Sequence, residues 1–356
     1  MQRVIQSGRF LTCLVFLFAA STKAADASPI IAPPRAHVVT SDAAGTHITT
    51  PGVDAFGLNV DGVARLSITT TDGSFLCSSS LINDTYLLSA AHCFDTNGDG
   101  VSDFLSGTAT FHTATGTTTI DLTAVTIHSG YTGDFVAGHD IAVLTLDAAA
   151  PGDAPRYGIY MDTDEIGKTG VKVGYGRTGH GSTGDVDPAG TKRAGLQEYD
   201  ATGEDVGDVV SYSPSGPIIA GTQLAYDFDS GLSANDAMTV LGFTSDLGFG
   251  DDEVAAAPGD SGGATFIDGL VAGVTSWGHG WLSSLDATPG VTDSSWGELN
   301  FDTRVSSYAD WLEPYLPDEN IEAVPEPTSM TLIGLGSIGL LVVRRRRRQQ
   351  AVDQAA

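Results

Sequence analysis

One serine in a glycine-rich turn is the residue of this sequence best suited to chemistry. Ser261 lies in Pro-Gly-Asp-Ser-Gly-Gly at positions 258–263. Such a turn can present one hydroxyl and aim neighbouring backbone N–H groups at one point, where an oxyanion could sit. A serine is a weak nucleophile at neutral pH unless a base takes its proton and a third group orients that base. His92, in Leu-Ser-Ala-Ala-His-Cys, and Asp140, in Gly-His-Asp-Ile-Ala, are the candidates for these two roles.

Short strands must position these residues, because long amphipathic helical repeats are scarce. Alternating or apolar runs separated by Asp-Gly and Asn-Asp turns are typical of strands and predict an all-β class. These runs occupy 63–68, 75–82, 85–89, 107–127, 170–176, 238–243 and 270–277. The exception is Arg304 to Tyr315, where apolar residues recur at helical spacing and predict a C-terminal helix.

With the three motifs in the order His, Asp, Ser, the chain resembles the trypsin/chymotrypsin-like serine proteases. The resemblance covers most of Val63 to Tyr315. It implies two six-stranded antiparallel β-barrels that face each other across a cleft, with a helix at the C-terminal end. Further segments that carry it are Cys-Ser-Ser-Ser-Leu-Ile-Asn at 77–83, Gly-Tyr-Gly at 174–176 and Ser-Trp-Gly at 276–278.

The resemblance also implies a role for each residue. Ser261 would attack a scissile carbonyl, His92 would accept and later return its proton, and Asp140 would orient the imidazole. The N–H groups of Gly259 and Ser261 would bind the oxyanion. The substrate-binding set would pair with peptide backbone and line the pocket; it comprises Ala255, Ser276, Trp277 and Gly278.

Each motif also has a plainer interpretation. Ser261 could belong to an ordinary loop, His92 could pack in a core, and Asp140 could cap a strand. Three motifs in family order favour a serine endopeptidase that acts on protein or peptide substrates and requires no cofactor. A catalytically silent binding module of the same fold at the cell envelope or extracellular matrix is the alternative. An esterase is a weaker third hypothesis, since the same groups transfer acyl groups to water.

The sequence departs from the family pattern in two places. The trypsin branch has an aspartate six residues before the nucleophile, where this chain has Ala255, so a small or apolar residue is expected before the cut. Glu253 or Asp252 could still act as a displaced acid. No Ile-Val-Gly-Gly start precedes Val63, so the partner that the family provides for Asp260 is either another cation or an amino terminus made by an unfamiliar cleavage.

Charge and the N-terminal region indicate an exported protein. The net charge is −27, and eight of the 17 basic residues lie in the terminal segments, which argues against binding nucleic acid. Residues 1–25 have the basic start, apolar run and small residues of a signal peptide, and 26–57 are a linker or propeptide. Removing Cys13 with the signal leaves Cys77 and Cys93, which are expected to form a disulfide.

The C-terminal region predicts sorting at the envelope. The protease domain is expected over 58–315, followed by a linker with Pro-Glu-Pro at 316–329. An apolar segment and five arginines occupy 330–348, and a polar cytoplasmic end occupies 349–356. This tail resembles PEP-CTERM sorting signals, which implies transient membrane association and cleavage by an exosortase-like enzyme after signal peptidase. The expected destination is secretion or the outer envelope of a Gram-negative bacterium after passage through the inner membrane; the alternatives are a tail anchor and a basic cluster that attracts anionic lipid.

A second constellation follows His92. Oxygen-bearing side chains and a glycine in the segment 95–103 have the spacing of the first part of an EF-hand calcium loop, but Ser106 stands where a bidentate Glu is expected. The segment predicts either a calcium-stabilised loop or a plain acidic turn. The candidate ligands are Asp95, Asn97, Asp99, Val101 and Asp103.

Overall fold

Six antiparallel strands close into a barrel in the first half of the chain. A computed structural model describes residues 47–210, 217–280 and 284–317. The barrel strands follow the order β1-β2-β3-β6-β5-β4, and their apolar faces turn inward to a fully buried core that includes Leu66, Leu87, Phe111 and Leu144. The strands are β1 (Val63–Thr70), β2 (Gly73–Leu81), β3 (Tyr86–Ser89), β4 (Phe104–Thr113), β5 (Gly116–Ile127) and β6 (Ala142–Leu146).

The second half is a seven-stranded antiparallel sheet with the order β10-β7-β13-β14-β15-β12-β11. Within the described ranges its edge strands β10 and β11 are not joined by a ladder, so it is a half-barrel where the sequence predicted a closed one. The remaining two strands, β8 and β9, form a separate hairpin. The strands are β7 (Thr169–Gly174), β8 (Thr178–His180), β9 (Gly184–Asp187), β10 (Arg193–Glu198), β11 (Ala201–Thr202), β12 (Gln223–Asp227), β13 (Ala264–Ile267), β14 (Leu270–His279) and β15 (Leu299–Arg304).

The prediction of an all-β class is thereby confirmed, with a closed barrel and a half-barrel as its two parts. Helices are short: α1 (Gly203–Val209) is capped by Thr202, and α2 (Ala237–Leu241) is capped by Asp236. The strand predicted over 238–243 is therefore wrong, because the Asp236 side chain accepts the N–H of Thr239 and starts a helix there. The C-terminal helix is confirmed as one helical stretch in which α3 (Ala309–Leu312) lies between 3₁₀ turns at Val305–Tyr308 and Glu313–Tyr315.

A buried ion pair joins the strands on either side of the sheet centre. Lys172 on β7 lies 2.8 Å from a carboxylate oxygen of Asp302 on β15, and both side chains are fully buried. The hydroxyls of Thr265 and Tyr199 also donate to Asp302, at 2.6 and 2.7 Å. Because a buried charge is tolerated only when it is paired and hydrogen-bonded, this network fixes β13, the strand that follows Ser261.

The predicted disulfide is present: Cys77 in β2 is bonded to Cys93, in the 3₁₀ turn Ala91–Cys93. The chain divides into the units Met1–Leu316 and Pro317–Ala356. The predicted signal peptide, the apolar tail and the arginine cluster lie outside the described residues. In the part of the chain that is described, no helix is long and apolar enough to cross a membrane.

Candidate active site

Ser261 lies in the turn between the second-half segment 254–260 and β13. Its carbonyl accepts the N–H of Ser78 at 2.8 Å, which fixes the turn to β2 of the barrel. Gly259 and Gly262 have φ angles of 113° and 79°, in the region that favours glycine. A Cβ on Gly262 would lie 2.0 Å from Oγ of Ser89, so the turn needs a glycine there for space as well.

His92 lies in the 3₁₀ turn that follows β3. Its Nδ1 is 2.7 Å from Oδ2 of Asp140, and its backbone N–H donates to Oδ1 of the same carboxylate at 2.8 Å. Phe135 packs against the imidazole edge with ring centroids 5.7 Å apart. Asp140 therefore holds both the backbone and the ring of the predicted base, which leaves Nε2 as the ring nitrogen free to exchange a proton.

Asp140 is fully buried just before β6. Ser276 on β14 donates its hydroxyl to Oδ2 at 2.5 Å, and Thr303 on β15 donates to the backbone carbonyl at 2.8 Å. Burial would raise the pKa of Asp140, but the charge of the His92 imidazole and the hydrogen bonds from His92 and Ser276 hold that pKa below its ordinary value. The carboxylate is thus ionised at neutral pH in spite of its burial.

The disulfide brings the two halves of the site together. Sγ of Cys93 lies 4.0 Å from Nε2 of His92 and 3.7 Å from the carbonyl oxygen of Ser261. Ser261, the predicted nucleophile, and His92, the predicted base, therefore both lie next to the sulfur atom of Cys93. Their supports come from both sheets, since His92 follows β3 and Ser261 precedes β13.

Some backbone N–H groups of the serine turn donate to carbonyls of the protein, and others do not. Asp260 donates to the Ala257 carbonyl at 3.3 Å, Gly262 to Thr275 at 2.9 Å, and Gly263 to Asp260 at 2.5 Å. Among the described residues, the N–H groups of Gly259 and Ser261 have no acceptor. The carbonyl of Gly259 accepts from the Ser78 hydroxyl at 2.9 Å, which holds this peptide in one orientation.

Asp260, next to the serine, points away from it. Its Oδ1 accepts the N–H of Gly176 at 2.7 Å, and the side chain is fully buried. Burial raises its pKa well above the ordinary value, against the Gly176 hydrogen bond and the charges of Lys172 and Arg193. A Cβ on Gly174 would lie 1.9 Å from Oδ1, so the Gly-Tyr-Gly segment leaves room for this carboxyl.

The residues predicted to bind substrate lie along β14 and the segment before Ser261. Ala255 is fully buried, and the Trp277 ring stacks on Phe301 with centroids 3.9 Å apart. The two candidates for a displaced acid are turned elsewhere: the Glu253 carboxylate accepts the N–H groups of Asp229 and Phe249 at 3.0 and 2.5 Å, and Asp252 is exposed.

Two side chains near the site escaped the sequence interpretation. Ser276 was assigned to substrate backbone, whereas its hydroxyl contacts Asp140, and no local pattern distinguishes these two uses of a serine. Asn300 on β15 accepts the N–H of Ala256 at 3.3 Å and is almost fully buried. It lies opposite Gly278 in the β14–β15 ladder, so the strand pairing brings an amide to the segment that was predicted to line the pocket.

The predicted calcium loop is held by its own hydrogen bonds. Asp95 Oδ1 accepts the N–H of Gly98 at 2.9 Å, and its Oδ2 accepts the N–H of Gly100 at 2.8 Å. Asp103 Oδ2 accepts the N–H of Thr96 at 2.9 Å, and its Oδ1 accepts the Asn97 amide at 3.1 Å. Calcium binding by this loop stays a prediction.

Comparisons with known proteins find two families whose models match parts of this chain. The family described as Trypsin matches residues 54–197, and the family described as PEP-CTERM protein-sorting motif matches 323–348. Brachyurin from Leptuca pugilator is 28% identical over 68% of this chain and 88% of its own. Cationic trypsin-3 from Rattus norvegicus is 26% identical over 68% of this chain and 80% of its own. A solved structure described as HL collagenase is 18% identical, with a TM-score of 0.48 over 72% of this chain and 94% of that one.

Proposed function

We propose that this protein is a secreted serine endopeptidase, because the trypsin family model matches residues 54–197 and the PEP-CTERM sorting motif matches 323–348. The observation that carries the proposal is the buried series of contacts from Ser276 through Asp140 to His92, next to the turn that holds Ser261 between two glycines of positive φ. A structural loop would not need an ionised carboxylate at full burial to hold one histidine ring.

The proposed reaction uses Ser261, His92 and Asp140 in sequence. Oγ of Ser261 bonds to the carbonyl carbon of the scissile peptide as its proton moves to Nε2 of His92. The C–N bond then breaks, the amine leaves with that proton, and an acyl-enzyme ester remains on Ser261. Water then attacks the ester carbonyl as His92 takes one of its protons; the bond between that carbon and Oγ of Ser261 breaks, Oγ takes the proton back from His92, and the acid leaves. Asp140 stays ionised throughout and holds the imidazole by Nδ1.

We assign the oxyanion site to the N–H groups of Gly259 and Ser261. The N–H groups of Asp260, Gly262 and Gly263 donate to backbone carbonyls. The N–H groups of Gly259 and Ser261 are therefore the donors available to a substrate oxygen. Each such donor is commonly worth roughly 10²- to 10³-fold in rate. The Ser78 hydroxyl, by fixing the Gly259 carbonyl, keeps this peptide ready for the developing charge.

A small or apolar residue is proposed before the cut. Ala255 supplies no charge at the position where the trypsin branch carries its aspartate. Glu253 is committed to two N–H donors, and burial raises its pKa to about 8, so it is a poor partner for a substrate Arg or Lys. Asn300 pairs with Gly278 in the β14–β15 ladder and contributes an uncharged amide. Together, Ala255, Glu253 and Asn300 favour a pocket without a net charge.

Export and processing complete the proposal. The PEP-CTERM match over 323–348 supports delivery to the cell envelope or the medium, with signal peptidase and an exosortase-type enzyme as processing partners. Protein or peptide outside the inner membrane is then the substrate. Mass spectrometry of the exported protein should show loss of the five arginines; their retention would contradict processing.

A defined peptide library tests the activity and the specificity together. Incubation with the protein, followed by mass spectrometry of the products, should show cleavage after small or apolar residues that is lost in Ser261→Ala. Cleavage after Arg or Lys would contradict the neutral pocket. Turnover of ester substrates without any peptide cleavage would contradict the endopeptidase and favour an esterase.

A further inference from the structure

Three buried aspartates form a cluster at the end of β12. Asp227 ends that strand, Asp229 follows it, and Asp236 caps α2. Each offers a carboxylate oxygen, and these oxygens all lie within 4.8 Å of one another. No part of the proposed proteolytic reaction uses them.

The hydrogen bonds of the cluster leave one of its oxygens without a partner. Asp227 Oδ2 accepts the N–H of Met238, and Asp236 Oδ1 accepts the N–H of Thr239, both at 2.8 Å. Oδ1 of Asp229, by contrast, is buried and has no hydrogen-bond partner, although the residue is only 5% exposed. A buried, unpaired carboxylate oxygen is costly, so it indicates a ligand that the side chain was selected to hold.

The surroundings of the cluster are acidic as well. Glu253, which is itself buried, accepts the N–H of Asp229 at 3.0 Å, and the charges of Asp227, Glu253, Asp236 and Asp200 all act on Asp229. Among the described residues, no Lys or Arg forms a salt bridge with Asp227, Asp229 or Asp236, so a bound cation is the natural source of compensation.

We propose that Asp227, Asp229 and Asp236 form a calcium site. Carboxylate oxygens are hard ligands, and Ca²⁺ holds them at about 2.3–2.6 Å, so oxygens on opposite sides of one ion lie about 4.8 Å apart. Mg²⁺ needs shorter bonds and keeps several of its waters, which a cage of buried side chains does not accommodate. The site therefore takes calcium in preference to magnesium.

The site stabilises the wall behind the substrate pocket. Phe228, between two of the ligands, packs in one buried cluster with Ala255 and Ala257. The N–H of Asp229 donates to Glu253, two residues before Ala255. Binding an ion here ties the loop 228–236 to the segment that leads to Ser261, so calcium supports the pocket without taking part in the reaction.

The test compares calcium responses of the full chain with those of three single variants. Asp229→Asn replaces the carboxyl that could bind the ion by an amide of the same shape, Asp99→Asn changes the EF-hand-like loop, and Asp121→Asn changes an exposed acid on β5. Calorimetric titration gives the Kd for Ca²⁺ and Mg²⁺, and thermal unfolding in EDTA and in calcium gives the shift in Tm.

We expect calcium at a hundredfold excess over Kd to raise Tm by roughly 5–10 °C. Asp229→Asn should weaken binding at least about tenfold and lose that shift, whereas Asp99→Asn and Asp121→Asn should keep it. In EDTA, Asp229→Asn should unfold at or above the Tm of the parent, because an amide of the same shape adds no negative charge to the buried cluster; this also shows that the variant folds. Absence of calcium binding, or a response lost in Asp99→Asn but kept in Asp229→Asn, would overturn the assignment. Neither result depends on proteolytic activity.

Discussion

Replacing Asp140 by asparagine should move the proton on His92 to the wrong nitrogen. In the native site, Oδ1 accepts the His92 backbone N–H, and Oδ2 accepts both His92 Nδ1–H and the Ser276 hydroxyl. An asparagine amide can keep only one acceptor. If its oxygen accepts the backbone N–H, its NH₂ group faces Nδ1, and Nδ1 must then act as the acceptor. The ring proton therefore moves to Nε2, and a protonated Nε2 cannot accept the proton of Ser261.

The expected loss is large in rate and small in stability. A change of tautomer that leaves the geometry intact is expected to lower kcat about 10⁴-fold, which corresponds to about 5.4 kcal/mol of transition-state stabilisation. The fold should survive, because the amide has the shape of the carboxylate and still satisfies the His92 N–H. Removing the buried charge also relieves part of its desolvation cost.

Rates of inactivation by a fluorophosphonate and of peptide hydrolysis, measured beside thermal unfolding, separate these effects. Asp147→Asn is the matched control, since Asp147 is an exposed acid just beyond β6. It should react at the parental rate. An Asp140→Asn variant that is folded and reacts within about tenfold of the parent would refute the argument that Asp140 sets the tautomer of His92.

Three further predictions concern the supports of the site. In Gly262→Ala, the new Cβ would lie 2.0 Å from Ser89 Oγ, on a backbone with a φ of 79°. The serine turn should be displaced, and fluorophosphonate labelling should slow about a hundredfold while circular dichroism stays unchanged. Labelling at the parental rate would contradict the requirement for glycine at this position. Lys172→Met should leave Asp302 buried without its cation and lower the free energy of unfolding by about 3 kcal/mol or more in urea titrations; an unchanged midpoint would refute the role of this pair. Burial raises the pKa of Glu298 from 4.5 to about 8, so the folded state holds its proton more tightly than the unfolded state. The stability from this group is complete below pH 4.5 and is lost as pH rises through 8; Glu298→Gln should reduce that decline in urea titrations, and an identical decline would contradict it.

The sequence predicted the parts of the site that depend on local patterns. Ser261 was identifiable because the glycines around it encode a turn, and His92 and Asp140 because a serine nucleophile needs a base and a carboxylate and their segments resemble the family's motifs in the order His, Asp, Ser. The pairing of Cys77 with Cys93 followed from there being only two cysteines after the expected loss of the signal. The helix from Arg304 was visible in its apolar spacing, although its 3₁₀ ends depend on packing.

Other features depend on contacts between residues distant in the chain, which no local pattern encodes. The Ser276 hydroxyl meets Asp140 across 136 residues, so the sequence gives no sign that it serves the carboxylate. Asp227 and Asp236 are brought together by the path of a loop without repeat or motif. The half-barrel likewise depends on how strand edges pair in space: in the described ranges β10 and β11 form no ladder with each other, and the pattern of neither strand alone determines this.

The most direct test of the proposed protease is labelling with a fluorophosphonate, which reacts rapidly only with an activated serine. The protein should be labelled at one site, Ser261, and the reaction should be abolished in Ser261→Ala and reduced by several orders of magnitude in His92→Ala. Folded protein that is not labelled, with or without calcium and limited proteolysis, would contradict the proposed endopeptidase and favour a binding module with the same fold.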